Sequence, residues 1–95
     1  MSDHQQVTFN SSENRYQMSF DAQMVYADVR RDKDVLYIDY VYAPPELRGK
    51  GAAGQFMTQL MAIVRAERLK AVPICSYAAS WLQRHQEYAD LILNR

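Results

Sequence analysis

Apolar and polar residues alternate along the first half of the chain, a pattern typical of half-buried β-strands. The alternation predicts four strands, at residues 7–10, 15–20, 24–30 and 35–42. A polar turn at 11–14 separates the first two strands, and a charged turn at 31–34 separates the last two. The fourth segment is the longest run of β-branched and aromatic residues, so we expect it at the centre of the sheet. The four strands should form an antiparallel meander.

The second half of the chain changes to a helical period after Pro44 and Pro45, which must end the fourth strand. Apolar residues then recur at the spacing of one helix face: Ala53, Phe56, Met57, Leu60, Met61 and Val64. The pattern predicts a helix over 52–69, a short strand at 71–75, a second helix at 78–86 and a terminal turn at 88–93. Because a helix connects them, we expect the strands at 35–42 and 71–75 to be parallel neighbours. Trp81 should lie in the core.

The composition is that of one small domain, and we expect a single domain over residues 1–95. Eleven basic residues balance eleven acidic ones, which gives no electrostatic reason to expect nucleic acid or an acidic membrane surface as a partner. The first ten residues do not resemble a signal peptide, and no apolar run approaches the roughly 20 residues that span a bilayer. A lone cysteine, Cys75, suits a reducing compartment and excludes multi-cysteine zinc sites. We therefore expect a cytoplasmic protein without a metal, and we assign no role to His4.

The chain's three glycines fall within six residues, at the predicted start of the long helix: Gly49, Gly51 and Gly54. Glycine lets backbone N–H groups turn outward, and the unpaired N–H groups of a helix start attract anions. Arg48 and Lys50 would add positive charge beside them. The segment is neither a P-loop nor a GxGxxG fingerprint. It predicts a site for a phosphate or pyrophosphate, and the alternative is an ordinary turn with two solvated cations.

Residues 48–53, RGKGAA, match the acetyl-CoA signature [Q/R]-x-x-G-x-[G/A] of the GNAT acetyltransferase superfamily. More narrowly, the chain resembles the small single-domain YjdJ-type acetyltransferase-like proteins. The resemblance rests on three segments in order, APPELRGKGAA at 43–53, PICSY at 73–77 and HQEY at 85–88, and it covers about residues 14–92. The additional proline at Pro45 departs from the pattern. The resemblance implies a reduced GNAT-like fold of the α/β (α+β) class, with a mostly antiparallel sheet and one parallel crossover pair.

The same resemblance implies that acetyl-CoA is bound where the fourth and fifth strands diverge. It assigns the phosphates to Arg48, Gly49, Lys50, Gly51, Ala52 and Ala53. It assigns the pantetheine and the acetyl carbonyl to the backbone of Val41 and Tyr42. His85 would touch the cofactor or orient Cys75, and the alternative is a histidine on a helix surface.

Three residues are candidates for the acid that protonates the departing CoA thiolate: Cys75, Tyr77 and Tyr88. Cys75 would alternatively carry the acetyl group, or it is only a small buried hydrophobe. Each tyrosine would alternatively serve only in packing. Asp39 and Glu46 are candidates for activating an amine, against the alternative of solvated carboxylates.

The function predicted from these features is acetyl-CoA-dependent N-acetyltransfer to an amine, on a small molecule or on a protein lysine. One alternative is a CoA-binding or protein-interaction module without catalysis. Another is a toxin–antitoxin-like or ribosome-associated regulator, which the neutral charge disfavours. We expect a monomer or a weak homodimer, with neither nucleic acid nor membrane as a partner.

Overall fold

Five strands form one sheet, in the order β1-β2-β3-β4-β5, in a computed structural model that describes residues 6–93. The strands are β1 (Thr8–Asn10), β2 (Arg15–Phe20), β3 (Gln23–Asp32), β4 (Val35–Tyr42) and β5 (Lys70–Pro73). Strands β1 to β4 pair antiparallel, and β4 pairs with β5 in parallel. The predicted meander and its parallel crossover pair are therefore confirmed. His4 lies outside the described residues.

A two-residue loop joins β3 to β4, so β3 is longer than predicted. Arg31 and Asp32 pair with Leu36 and Val35 as the last rungs of the ladder. The predicted turn at 31–34 is wrong in its first half. Lys33 takes a left-handed φ of 58°, and this tight reversal leaves room for both charged residues at the exposed end of the strand.

Two helices follow the meander, α1 (Ala52–Ala66) and α2 (Ser76–Gln83). Single 3₁₀ segments lie at Pro45–Leu47 and Gln86–Leu91. Helix α1 ends three residues before the predicted position, because Arg68 adopts a left-handed φ of 59° and the Leu69 N–H donates to the Val64 carbonyl at 2.9 Å. Helix α2 begins two residues earlier than predicted and ends three earlier, since the Arg84 and His85 N–H groups close its last turn on Trp81 and Leu82.

The predicted apolar face of α1 is buried almost entirely. It packs against β2, β3 and β5 through Ala52, Phe56, Met57, Leu60, Met61 and Val64. Ala53, predicted in this face, is half-buried, and Ala52 takes its place at the first turn. Trp81 of α2 joins the same core and is 4% exposed, as predicted. Among the described residues, no helix is long and apolar enough to cross a membrane.

A β-bulge divides β4 at Asp39. Ile38 pairs with Val29, whereas Tyr40 pairs with Asp28, so Asp39 is an extra residue without a partner on β3. The bulge reverses the alternation, so that Ile38 and Val41 both point into the core although they are three positions apart. The opposite surface, here called the open face, carries no buried side chain. Its residues are Arg15, Gln17, Tyr26, Asp28, Arg30, Tyr37, Tyr40 and Tyr42.

Strand β5 is shorter than β4, and the two separate after Ile38. The last pair of the ladder joins Ile38 to Pro73, and the next two N–H groups, of Ile74 and Cys75, both donate to the Ile38 carbonyl at 2.9 and 3.0 Å. The chain then turns into α2, with Cys75 at the residue that caps its start. The strand predicted at 71–75 therefore begins one residue early and ends two residues early, because the Ile74 and Cys75 N–H groups both bond to the Ile38 carbonyl and do not continue along β4. Beyond Ile38, one edge of β4 has no neighbouring strand.

Candidate functional site

A cleft of about 350 Å³ opens where β4 separates from β5 and the chain continues into α1. This β4–α1 cleft is lined by Tyr40, Val41, Tyr42, Ala43, Leu47, Arg48, Gly49, Gly51, Ala52, Ala53, Gly54 and Tyr77. The volume is in the range of small-molecule sites. The cleft brings together most of the predicted binding residues, on the backbone of β4 and on the turn at residues 48–51, here called the glycine-rich turn.

The glycine-rich turn presents its backbone to the cleft. Gly49 and Gly51 both have a φ of 81°, and a Cβ at either position would meet nothing within 4 Å. Backbone conformation therefore requires these glycines, and packing does not. Gly51 caps α1 without a side-chain hydrogen bond, and the first helical bond runs from the Gln55 N–H to the Gly51 carbonyl at 2.9 Å. The N–H groups of residues 52–54 thus lie at the open end of the helix, where an anion is favoured.

Gly54 differs from the other two glycines because it lies inside the helix with ordinary backbone angles. We expect Gly54→Ala to raise the free energy of unfolding by about 0.5–1 kcal/mol, since alanine loses less backbone entropy in a helix. The added Cβ would lie 3.6 Å from Trp81 Nε1, an ordinary contact. Gly51→Ala should instead lower this free energy by about 1 kcal/mol, because a Cβ disfavours the left-handed region. Urea denaturation measures both, and a Gly54→Ala variant less stable than the parent would contradict the expectation.

The two cations of the turn are placed differently. Arg48 Nε donates to the Ala43 carbonyl at 2.9 Å, and its guanidinium carbon lies 6.0 Å from the centre of the Tyr42 ring. This hydrogen bond holds the guanidinium at the edge of the β4–α1 cleft, with its terminal nitrogens available to an anion. Lys50 is exposed and is not among the residues that line the cleft. Its predicted role rests on charge and reach alone.

Cys75 lies against the backbone of β4, opposite the cleft-lining residue Val41. The Val41 N–H donates to Cys75 Sγ at 3.4 Å, across the gap in which β5 no longer pairs with β4. The thiol is half-buried and is a free cysteine. Sulfur is a weak acceptor, so a carbonyl oxygen would bind this N–H more strongly. The structure therefore places Cys75, a candidate acid, beside the backbone N–H of Val41, which the resemblance assigns to the acetyl carbonyl.

The two candidate tyrosines lie in different surroundings. Tyr77, in the first turn of α2, lines the cleft, and burial raises its pKa above the usual 10.0. Its hydroxyl is therefore protonated at neutral pH, and the raised pKa makes it a weaker acid than an exposed tyrosine. Tyr88 instead packs with its ring centre 5.7 Å from that of Trp81. It is not among the residues that line the cleft.

His85 follows α2, packs on Trp81 of that helix, and is also not among the cleft-lining residues. Its ring stacks on Trp81 with centroids 3.8 Å apart, and its Nδ1 donates to the Trp81 carbonyl at 2.7 Å. Both ring contacts fix its orientation. The predicted cofactor contact of His85 would have to come from Nε2.

No carboxylate or imidazole belongs to the described lining of the cleft. Asp39, a predicted candidate for activating an amine, accepts two hydrogen bonds from Arg30, at 2.7 and 2.9 Å. Glu46, the other candidate, is exposed on the 3₁₀ segment before the glycine-rich turn. Among the described residues, no group of three or more His, Cys, Asp and Glu could hold a metal ion.

The cleft also contains residues that the sequence pattern did not single out as site residues: Tyr40, Ala43 and Leu47. Tyr40 stands two positions before Tyr42, so the strand period alone could have placed it on the same surface. Leu47 and Ala43 belong to the irregular segment between β4 and α1, where no period applies.

Two comparisons with known proteins bear on this arrangement. The sequence model of the family described as GCN5-related N-acetyl-transferase matches residues 15–91. In fold, the chain is similar to a GCN5-like protein from Staphylococcus aureus whose solution structure was determined by NMR, with a TM-score of 0.74 and 23% sequence identity. That likeness covers 96% of this chain and 90% of the other, and it shows a shared fold. A search of curated protein sequences finds no match.

Proposed function

The chain belongs to the GCN5-related N-acetyltransferase family, and on that premise we propose that it binds acetyl-CoA in the β4–α1 cleft and transfers the acetyl group to an amine. The observation that carries the proposal is the continuity of the cleft. It runs from the open N–H groups of a helix start to the unpaired edge of a neighbouring strand. The narrower resemblance to the YjdJ-type proteins stays a prediction.

The residues present fit CoA at both ends of the cleft. The glycine-rich turn offers backbone N–H groups without side chains in the way, and Arg48 is held beside them by Ala43. These groups would hold the phosphates. The edge of β4 near Val41 offers backbone hydrogen-bonding groups to the amide groups of the pantetheine, as an additional strand would. Lys50 would add charge from the rim, and His85 remains a proposed cofactor contact.

Acetyl-CoA supplies an activated acetyl group as a thioester. The protein must place a hydrogen-bond donor where negative charge develops on the carbonyl oxygen, and we assign this role to the Val41 N–H. Cys75 lies beside it at 3.4 Å and Tyr77 lines the same cleft. We assign Cys75 the role of proton donor to the leaving sulfur, with Tyr77 as the alternative donor and Tyr88 as the more remote one.

The attacking amine must reach the cleft without its extra proton. Since no carboxylate or imidazole belongs to the described lining, water takes that proton before the attack. After the attack, the nitrogen would release one proton to water, and Cys75 would give its proton to the leaving sulfur and regain one from water. The protein then contributes positioning and a fixed donor, and the amine's own basicity sets the fraction that can react.

Turnover with a panel of amines tests the function. The purified protein is given acetyl-CoA with and without each amine, and the acetylated amine is detected by mass spectrometry. Acetyl-CoA binding together with an acetylated product supports the proposal. Binding without any product supports the non-catalytic CoA-binding module instead. Absence of binding in a calorimetric titration would overturn both.

A further inference from the structure

Three tyrosines form a cluster on the open face, directly beside the β4–α1 cleft. In this tyrosine cluster, the Tyr26 ring lies 5.3 Å from the Tyr42 ring and 6.5 Å from the Tyr40 ring, centre to centre. Tyr40 and Tyr42 also line the cleft, whereas Tyr26 stands behind them on β3. The bulge at Asp39 is what places Tyr40 and Tyr42 together on this side of β4.

Two of the three rings already have an arginine guanidinium group over their faces. The guanidinium carbon of Arg15 lies 3.8 Å from the centre of Tyr26, and that of Arg48 lies 6.0 Å from the centre of Tyr42. Among the described residues, Tyr40 has no cation over its ring, and it is 49% exposed. A ring of this kind attracts a cation through the negative face of its π-system.

The charges around the cluster leave this ring accessible to a cation. Arg15 is paired with Asp28 at 2.9 Å, so its charge is compensated. Arg30, farther along the face, is paired with Asp39 at 2.7 Å. Arg48 lies on the side of the cluster that faces the glycine-rich turn, where the phosphates of CoA would compensate its charge.

Tyr40 is adjacent in sequence to Val41, whose N–H marks the proposed position of the reacting carbonyl. The nitrogen that reacts must be neutral, so a cation bound by Tyr40 is a different group of the same acceptor. We propose that Tyr40, supported by Tyr26, binds a second, protonated nitrogen of the acceptor, and that the acceptor is a diamine or polyamine. This inference rests on the proposed function and names its substrate class.

Putrescine and butylamine provide the matched pair of acceptors, because they share a four-carbon chain and differ in the second nitrogen. We expect a higher kcat/KM for putrescine after correction for its two equivalent amines. Tyr40→Leu should reduce the putrescine-to-butylamine ratio of kcat/KM by about 2- to 5-fold, the usual strength of an exposed cation–π contact. Tyr40→Phe keeps the aromatic face and should retain the ratio. The same ratio in the parent and in Tyr40→Leu would overturn the proposal.

A binding measurement separates this proposal from the function on which it rests. Putrescine titrated into the CoA complex should shift the NMR signals of the Tyr40 ring, and 1-butanol, which has the same four-carbon chain and no charge, should shift them little. If no amine is acetylated but putrescine shifts these signals and 1-butanol does not, the cation site stands and acetyl transfer fails. If 1-butanol shifts them equally, the cation site is wrong, whatever the turnover.

Discussion

Replacing Gly51 by aspartate should weaken CoA binding by about 100-fold. The new carboxylate would stand at the start of α1, against the N–H groups of residues 52–54 that would hold the phosphates. Two like charges a few ångströms apart near a protein surface repel by several kcal/mol, which is enough for this loss. Isothermal titration of CoA into parent and variant measures the two dissociation constants.

Gly51→Asn is the matched control, because asparagine has the shape of aspartate without its charge. Both residues tolerate the left-handed backbone that Gly51 adopts, with a φ of 81°. We expect the asparagine variant to bind CoA less than about 10-fold more weakly than the parent, and both variants to unfold at similar urea concentrations. Equal CoA affinity in Gly51→Asp and the parent would show that the phosphates bind elsewhere.

Cys75→Ala should lower kcat for acetyl transfer by about 100-fold while CoA binding changes little. The reason is the proposed role of Cys75 as proton donor to the leaving sulfur, since its Sγ lies 3.4 Å from the Val41 nitrogen, beside the proposed position of the reacting carbonyl. Steady-state rates and CoA dissociation constants from the same preparations separate catalysis from binding. Ser76→Ala is the control, since it removes the side-chain hydroxyl of an exposed neighbour on the same turn.

Tyr77→Phe and Tyr88→Phe, each of which removes one hydroxyl, decide between the possible donors. Tyr77 lines the cleft with a raised pKa, whereas Tyr88 packs on Trp81. We expect a smaller loss for Tyr77→Phe than for Cys75→Ala, and almost none for Tyr88→Phe. Full turnover in Cys75→Ala together with a large loss in Tyr77→Phe would transfer the role of acid to the tyrosine.

The regular elements were predictable because their side-chain periods are strong. The alternation at 15–20 and 35–42 places β2 and β4 at their observed bounds, and the heptad-like spacing from Phe56 to Val64 places the buried face of α1. The parallel pairing of β4 with β5 followed from the connecting helix. For the site, the clustering of the three glycines was enough to indicate the turn that opens onto the cleft.

The features that were not predictable depend on individual backbone angles or on contacts between distant segments. The chain leaves α1 through a left-handed arginine, Arg68, two residues after the helix ends, and no glycine marks the position. The bulge at Asp39 could not be predicted from the sequence, because Tyr40, Val41 and Tyr42 are each compatible with either face of the sheet. The packing of His85 on Trp81 depends on how α2 meets the following 3₁₀ segment, which no local pattern determines.

The extra residue at Asp39 sets which face of the sheet each later residue of β4 takes. Upstream of it, β4 contributes Leu36 and Ile38 to the core; downstream, it contributes a wall of the cleft. If the bulge closed into a regular ladder with every residue retained, Asp39 would pair with Asp28, and each later residue of β4 would turn to the opposite face. Tyr40 and Tyr42 would then enter the core, and Val41 would face water. Deleting Asp39 would instead leave Tyr40 opposite Asp28 and keep these faces, and the strand would lose only the local kink of the bulge. The site therefore depends on the bulge forming at Asp39 as much as on the residues that follow it.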